Sequence, residues 1–190
     1  MSLQQLKVTK VQQEVNETIS IILEPLNGVK PNFKAGQFLT LSFTRNEREL
    51  RRSYSAYSSP LVDEPLAIAV KLVENGEISR FLHHTLRKGD VVQVTEPNGM
   101  FFYEPEVGKQ RTIFLFAAGV GITPLFSILK TALVGEEHSK LVLIYSSRSA
   151  EETLFIEELK QWQEIYPDRF KLLHLFSNSK NLLRARLNGF

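Results

Sequence analysis

One short motif, Arg52-Ser53-Tyr54-Ser55, combines side chains that can bind a long, anionic and aromatic ligand. In an extended strand Arg52 and Tyr54 point to one face, whereas Ser53 and Ser55 point to the other unless the strand bulges. A guanidinium binds a pyrophosphate through paired charge-assisted hydrogen bonds, and a phenol offers a stacking face and a hydroxyl. On residue types alone, however, Tyr54 is more often an ordinary strand residue, because strands favour aromatics, and Arg52 is more often a solvated charge.

A second candidate ligand site follows the apolar residues 114–118, which lead into Gly119-Val120-Gly121-Ile122-Thr123-Pro124. A strand that enters a glycine turn and then a helix is the context that a phosphate-binding turn requires. Glycine permits a positive φ and close approach of the backbone, and Pro124 suits the first position of a helix. The turn departs from the Gly-x-Gly-x-x-Gly pattern, so Gly119 and Gly121 alone are weak evidence.

The end of the next apolar run bears on which dinucleotide would bind. NAD selectivity commonly uses an acid on the ribose hydroxyls, whereas an arginine accommodates the 2′-phosphate of NADP. Residues 144–149 contain no acid, and Ser147 and Arg148 stand there instead. The sequence therefore favours NADPH over NADH, although serines and arginines in such loops are also often merely solvated.

Composition limits the function further. The 190 residues carry a formal net charge of +2, with scattered Lys and Arg, which argues against a nucleic-acid or membrane surface. The chain has no cysteine, so it holds no disulfide, zinc–thiolate site or thiolate-ligated iron–sulfur cluster. The histidines lack the spacing of metal ligands, and we predict no metal site. No secretory signal or membrane-spanning run is evident, so we expect a cytoplasmic location.

The N-terminal half reads as six short strands bounded by turn residues, which predicts an antiparallel barrel or sandwich. An exception is residues 78–87, where Ile78, Leu82 and Leu86 have the spacing of a helix that Ser79 could cap. The predicted strands are 6–11, 18–24, 37–43, 50–57, 66–73 and 91–95.

Beyond residue 105 apolar runs alternate with amphipathic helices, which is typical of βαβ units and a parallel sheet. We therefore predict an antiparallel β domain over 1–104 and a parallel α/β domain over 108–190. A doubly wound dinucleotide fold normally has five or six strands, so we expect the second domain to be incomplete at its C-terminus. Its predicted elements are a buried strand 111–118, helix 124–133, strand 140–145, helix 151–164 and strand 169–176.

The motifs resemble, in order, those of the ferredoxin–NADP reductase superfamily, and in particular the reductase parts of phenylacetate-degradation-type and oxygenase systems. Arg52-Ser53-Tyr54-Ser55 followed by Ser58-Ser59-Pro60 is similar to the family's Arg-x-Tyr-Ser element. The turn at 119–124 is similar to its Gly-x-Gly-x-Thr-Pro variant. Further elements in the family's order are Val70-Lys71, Gly76-Glu77-Ile78-Ser79 and Pro97-Asn98-Gly99-Met100-Phe101.

This resemblance implies an FAD-binding barrel. Arg52 would hold the FAD pyrophosphate, and Tyr54 would contact the ribityl chain and isoalloxazine. Ser53 is a further candidate cofactor-binding residue, and Ser55 would hydrogen-bond near flavin N5.

The strand and helix after the motif would complete the FAD site. Gly76, Ile78 and Ser79 would present backbone N–H groups and a hydroxyl to the pyrophosphate at a helix start, where partial positive charge favours anions. Ser79 is alternatively a plain helix cap, and the two roles are compatible. Val70 and Lys71 would lie close to the cofactor, although a lone lysine on an exposed strand is more often just solvated.

The resemblance further implies an FAD-dependent NAD(P)H oxidoreductase. Electrons would pass from NADPH, or alternatively NADH, through FAD to an acceptor such as a ferredoxin or a fused iron–sulfur domain. Ser55 and Thr123 are the candidate catalytic residues, and Ser147 and Arg148 are similar to the Ser-Arg pair of NADP-dependent members. The family's later Cys-Gly-Pro-type segment has no counterpart. A non-catalytic flavin-binding module for redox sensing or assembly is the alternative.

Overall fold

The structure is a computed structural model that describes residues 3–15, 17–45 and 47–178. Within these residues the chain forms two sheets, one of six strands and one of three. Residues 179–190 of the predicted second domain lie outside the described residues. Among the helices that are described, none is long and apolar enough to cross a membrane.

The first sheet is antiparallel and closes into a barrel. Its strands are β1 Leu3–Gln13, β2 Thr18–Pro25, β3 Phe38–Arg45, β4 Arg48–Ser55, β5 Leu66–Lys71 and β6 Val91–Thr95. They run in the order β4-β3-β6-β1-β2-β5, and a bridge between Ala56 and Ile68 closes the sheet between its two ends. Closure removes exposed strand edges, and the predicted antiparallel barrel is confirmed.

Alternating residues of the strands fill the barrel. In β1, for example, Leu6 and Val8 are fully buried while their neighbours face outward. Helix α1, Glu77–Thr85, adds Ile78 and Leu82 to the same apolar cluster. Their spacing of four residues places both on one face of the helix, so the helix predicted from that spacing is confirmed.

The second sheet is parallel, as predicted. Its strands are β7 Thr112–Ala118, β8 Lys140–Ser147 and β9 Phe170–Phe176, in the order β7-β8-β9. A 3-10 turn over Gly119–Gly121 leads from β7 into helix α2, Ile122–Gly135, and helix α3, Ile156–Ile165, lies between β8 and β9. Helical crossovers of this kind are what parallel strands require.

Strand β7 is buried on one face only, so the prediction of a buried strand holds for that face and is wrong for the other. Leu115 and Ala117 are each 7% exposed and join the cluster under α2, whereas Phe114 and Phe116 are 58% and 63% exposed. A parallel sheet is buried on both faces only where helices cover both. Helices α2 and α3 both contribute residues to the cluster that contains Leu115.

Helix α3 begins five residues later than predicted, at Ile156 instead of residue 151. The Thr153 hydroxyl is held in a turn by the Ser149 carbonyl (2.8 Å) and the Ser147 hydroxyl (2.7 Å). Phe155 then has a φ of 61°, a left-handed conformation that a right-handed helix does not contain. Local side-chain hydrogen bonding therefore competes with the helix here.

Helix α2 packs against the barrel as well as against its own sheet. The Ser127 hydroxyl donates to the Ser58 carbonyl (2.6 Å), and the Thr131 and Ser59 hydroxyls share a hydrogen bond (2.8 Å). Most residues of α2 are buried. A helix that is apolar on nearly all sides is buried among other elements of the structure, as α2 is between its own sheet and the barrel.

The buried carboxylate of Glu136, just after α2, forms hydrogen bonds with the segment that connects the two sheets. Glu136 accepts hydrogen bonds from the Arg111 guanidinium (2.6 Å), the Ser139 hydroxyl (2.6 Å) and the Glu106 backbone N–H (3.0 Å). The Tyr103 hydroxyl donates to the same carboxylate. Burial raises the pKa of Glu136, but the Arg111, Ser139 and Tyr103 donors outweigh burial and lower that pKa to about 2.

Acid should therefore weaken this network. Because the folded pKa of about 2 lies below the ordinary 4.5, ionised Glu136 stabilises the fold fully above about pH 4.5, and its contribution of at most about 3 kcal/mol is lost as the pH falls toward 2. In urea unfolding, the difference in free energy of unfolding between wild type and Glu136→Gln should shrink over that range. Glu104→Gln removes a carboxylate that is 58% exposed and should differ little from wild type. A Glu136→Gln difference that stays constant down to pH 2 would contradict the assignment.

Candidate functional site

Arg52 and Tyr54 lie next to each other on β4. Tyr54 packs half-buried against the barrel core, and this burial raises its pKa to about 12 despite the opposing charge of Arg52. The phenol therefore remains a hydrogen-bond donor at neutral pH. Arg51 is paired with Glu49 at 2.8 Å, whereas Arg52 has only the Arg51 backbone carbonyl (2.8 Å) and no carboxylate among the described residues. The Arg52 guanidinium is thus available to an anion.

The two serines of the motif differ in their hydrogen bonding. The Ser53 hydroxyl shares a hydrogen bond of 2.8 Å with Thr40 on β3 and is exposed. Ser55 is half-buried and lies opposite Phe38 in the β3–β4 ladder. No side-chain or backbone group in the described part of the chain hydrogen-bonds the Ser55 hydroxyl. That hydroxyl is therefore available to a ligand.

The segment after β6 lies along the edge of β3 near Ser55. Phe38 and Asn98 exchange two backbone hydrogen bonds of 3.0 and 2.9 Å. Gly99 has a φ of 122°, and a Cβ there would lie 3.0 Å from the Phe38 ring. The following Met100 is 91% exposed. The Pro97 to Phe101 element is thus placed one strand away from the Arg52 to Ser55 motif.

The start of α1 depends on a close approach between Gly76 and Ser79. Gly76 has an ordinary φ of −84°, but a Cβ there would lie 2.5 Å from the Ser79 Oγ. That oxygen accepts the Val73 N–H (3.1 Å) and lies 3.2 Å from the Gly76 carbonyl. The Ser79 hydroxyl therefore shapes the turn, and its contact with a phosphate stays a prediction. No side chain caps the helix start, where backbone N–H groups favour an anion.

The other residues predicted to contact FAD differ in exposure. Val70 and Ile78 are 0% and 2% exposed, so only their backbone atoms could meet a ligand. The Val70 carbonyl is hydrogen-bonded to His83 Nε2 (2.9 Å), and His83 is half-buried. Lys71 is exposed at the end of β5. No cluster of three or more potential metal ligands occurs among the described residues.

The glycine turn before α2 is supported from beneath by Tyr145. Gly119 has a φ of 50°, and its carbonyl accepts a hydrogen bond from the Tyr145 hydroxyl (3.0 Å). Gly121 has an ordinary φ of −63°, and no side chain or backbone from elsewhere in the described structure lies within 4 Å of the position that a Cβ would take. Among the residues that the structure describes, nothing thus requires glycine at 121, and the space above it is open to a ligand. The sequence motifs did not point to Tyr145, although a buried tyrosine signals a hydroxyl that needs a partner.

Thr123 and Pro124 stand inside the first turn of α2. The Thr123 hydroxyl donates to the Val120 carbonyl (3.1 Å), and Thr123 is 6% exposed. The sequence predicted Pro124 as the first residue of the helix. Helix α2 begins at Ile122, however, so Pro124 is its third residue. Its missing N–H still falls among the four that a helix start leaves unpaired. The structure gives the Thr123 hydroxyl a role in closing the turn, and a catalytic role stays a prediction.

Ser147 and Arg148 at the end of β8 are positioned differently. The Ser147 hydroxyl is engaged by Thr153 (2.7 Å) and the Ser149 carbonyl (3.1 Å). The Arg148 side chain is 75% exposed, and its Nε lies 3.9 Å from the Glu152 carboxylate. Arg148 is therefore open to a ligand phosphate. The Glu152 carboxylate also lies beside Arg148. This acid lies outside residues 144–149, on which the prediction of NADPH depends.

We call residues 52–55 together with 76–79 the strand site, and residues 119–123 the turn site. The turn site lies against the barrel, because the 3-10 turn contacts β5. Ala69 of β5 belongs to the same apolar cluster as Ala117 and Ile122 on either side of the turn. An antiparallel backbone bridge joins Ile68 of β5 to Ala56, and Ala56 directly follows Ser55 of the strand site.

Two family models match this chain. The oxidoreductase FAD-binding domain matches residues 6–103, and the oxidoreductase NAD-binding domain matches residues 115–185. The first range includes the strand site and the second includes the turn site. The matched domains thus bind FAD and a pyridine nucleotide.

Among curated proteins, the chain is 36% identical to one subunit of the 1,2-phenylacetyl-CoA epoxidase of Escherichia coli, over 97% of this chain and 53% of that protein. It is 34% identical to the ferredoxin reductase component of 3-ketosteroid-9-alpha-monooxygenase of Rhodococcus rhodochrous, over 95% of this chain and 51% of that protein. The chain spans about half the length of these curated relatives.

Solved structures share the fold. The flavohem-like FAD/NAD-binding domain of nitric oxide dioxygenase from Vibrio cholerae superposes with a TM-score of 0.82 at 26% identity, over 94% of this chain and 76% of that one. Phthalate dioxygenase reductase, described as a modular structure for electron transfer from pyridine nucleotides to 2Fe-2S, gives a TM-score of 0.77 at 26% identity. That match covers 95% of this chain and 53% of the other.

The side chains at the two sites fit these ligands. The strand site combines an arginine without a carboxylate partner among the described residues, a helix start without a side-chain cap and a free serine hydroxyl. The turn site leaves open space at Gly121 beside a helix start. Both features suit diphosphate-containing cofactors.

Removing the Arg52 guanidinium should weaken FAD binding. Arg52→Ala loses a charge-assisted contact, and we expect the binding free energy to fall by about 1.5–3 kcal/mol. Titration of the apoprotein with FAD, followed by flavin fluorescence, measures the change. Arg51→Ala is the matched control, because that side chain is already paired with Glu49. Equal FAD affinity in wild type and Arg52→Ala would refute the role of Arg52.

Proposed function

This chain belongs to the ferredoxin reductase-type family of FAD- and NAD-binding oxidoreductases, and we propose that it passes electrons from NAD(P)H through FAD to a one-electron acceptor. We assign FAD to residues 1–104 and the pyridine nucleotide to residues 108–190. The chain spans about half the length of its curated relatives. The activity of the whole protein is therefore part of this proposal.

The observation that carries the proposal is the connection between the two sites. Strand β4 ends at Ser55 and continues into Ser58 and Ser59, which hydrogen-bond to α2. Helix α2 begins at the turn site. Packed and hydrogen-bonded residues thus connect the two sites, and a fixed relation of this kind supports the orientation that a reaction between two bound cofactors needs.

Within the strand site the side chains bind and orient. Arg52 and the start of α1 supply positive charge for the FAD pyrophosphate. The ring and protonated hydroxyl of Tyr54 offer a stacking face and a donor, and Ser55 offers a further hydroxyl. FAD, when bound, takes up a hydride from the reduced nicotinamide and releases electrons singly.

At the turn site we propose NADPH as the preferred nucleotide. The support comes from Arg148, which is 75% exposed at the end of β8 and can meet a 2′-phosphate. Ser147, the other half of the predicted pair, has its hydroxyl engaged by Thr153 and Ser149. The preference therefore depends on Arg148 alone.

We propose an iron–sulfur protein or domain as the acceptor. The relatives include a ferredoxin reductase component and a reductase that transfers electrons to 2Fe-2S. Such clusters are held by cysteine thiolates, and these 190 residues contain none. The cluster would therefore lie outside them.

Rapid mixing of the FAD-loaded protein with NADPH tests the function. We expect the flavin absorbance to bleach, and an added ferredoxin or iron–sulfur domain to restore it. A protein that binds FAD but is not bleached by NADPH or NADH would instead be the non-catalytic flavin module.

Arg148→Ala should weaken NADPH binding while leaving NADH binding nearly unchanged. Loss of one charge-assisted phosphate contact should raise the dissociation constant for NADPH about tenfold or more. Titrations of the FAD-loaded protein with both nucleotides give the ratio. Lys160→Ala removes an exposed cation of the same domain that is paired with Glu157, and should change neither value. Equal losses for NADPH and NADH would refute the role at the 2′-phosphate.

A further inference from the structure

Helix α2 carries a lysine that is almost completely buried. Lys130 is 2% exposed, and its ammonium forms a 2.5 Å ion pair with Glu64 of the barrel domain. Burial lowers the pKa of Lys130, and the Glu64 carboxylate opposes that shift. A buried cation is costly unless it is paired and hydrogen-bonded. The position of Glu64 relative to α2 is therefore tightly constrained.

The same carboxylate is fixed from the barrel side. Glu64 accepts the backbone N–H of Ser59 at 2.6 Å, and the Ser59 hydroxyl bonds Thr131, the next residue on α2 after Lys130. The barrel segment 58–64 and helix α2 are thus connected by polar contacts of both backbone and side chains.

Aromatic rings surround the ion pair. The Tyr57 ring lies 4.5 Å from that of Phe155, which lies 5.2 Å from that of Phe126. The Lys130 ammonium stands 4.6 Å from the Phe126 ring centroid. Phe155 adopts its left-handed backbone conformation within this stack, and such conformations persist where surrounding packing determines them.

Both sides of this contact are close in sequence to the proposed sites. Ser59 follows Ser55 by four residues, and Lys130 follows Thr123 by seven residues of one helix, or roughly 10 Å. A buried ion pair adds little net stability compared with apolar packing, but it can favour a single geometry. Exposed ion pairs, by contrast, contribute little to stability.

We propose that the Lys130–Glu64 pair positions the strand site and the turn site relative to each other, so that Lys130 and Glu64 are positioning residues for hydride transfer from nicotinamide to flavin. This inference rests on the proposed function for its consequence. The fixed placement of α2 on the barrel does not depend on the proposed function, because it is inferred from the contacts alone. Loss of the pair lets α2 and the barrel adopt more than one relative placement, and a displacement of about 1 Å can slow a reaction about 100-fold.

Distance measurement in the apoprotein tests the geometry directly. The chain lacks cysteine, so Gln93→Cys on β6 and Gln161→Cys on α3 provide two exposed spin-label sites. Double electron–electron resonance should give one narrow distance distribution in this background, and a broader or shifted one with Lys130→Met. The control Lys34→Met breaks an exposed pair between Lys34 and Glu104 and should leave the distribution narrow.

A charge-neutral double variant, Glu64→Gln with Lys130→Met, guards against misfolding of the single variant. It removes both charges, so no uncompensated carboxylate remains, and the distribution should still be broad. A narrow, unshifted distribution in the folded double variant, or in folded Lys130→Met, would overturn the proposal.

Kinetics distinguish positioning from simple stability. In Lys130→Met and the double variant we expect unchanged FAD affinity and an unchanged rate of flavin reduction by dithionite. The rate of flavin reduction at saturating NADPH should fall about tenfold to 100-fold. A parallel loss of FAD affinity would contradict a positioning role. If wild type shows the narrow distribution and both variants a broader or shifted one, but neither NADPH nor NADH reduces the flavin of wild type, the proposed function fails while the geometric role of the pair stands.

Discussion

Helix α2 packs on two surfaces at once, and the arrangement of both sites depends on that packing. Leu129 and Leu133 join the core of the parallel sheet, while Ser127 and Thr131 hydrogen-bond to barrel residues 58–59. Because the turn site is the N-terminal end of this helix, its placement is fixed when the helix docks on the barrel. The relative position of the sites is therefore a consequence of packing far from either ligand.

Polar side chains around the two sites divide into those that shape the backbone and those that remain available. The hydroxyls of Ser79, Thr123 and Ser147 all have internal partners and hold turns in place. Arg52 has no carboxylate partner among the described residues, and Arg148 has only a distant one. Cations and backbone N–H groups, and not the three hydroxyls, are thus the groups best placed to recognise phosphates.

The sequence predicted the barrel well because alternation of apolar residues reports directly on which side of a strand is buried. Strand β6 has the predicted limits of 91–95. Three-dimensional contacts were less predictable. A lysine in a helix is usually solvated, so the burial of Lys130 could not be predicted from the sequence. The left-handed conformation of Phe155 likewise displaced the start of α3. The exposed face of Phe114 depends on which helices cover the sheet, which a local pattern does not encode.

The central claim is that the strand site binds FAD in a fixed relation to the turn site. A crystal structure of the chain with FAD bound tests it most directly. The account predicts that the pyrophosphate lies within hydrogen-bonding distance of the Arg52 guanidinium and the start of α1, with the isoalloxazine against Tyr54 and facing the turn that begins at Gly119. FAD bound away from Arg52, or an isoalloxazine on the side of the barrel remote from Gly119, would contradict the account.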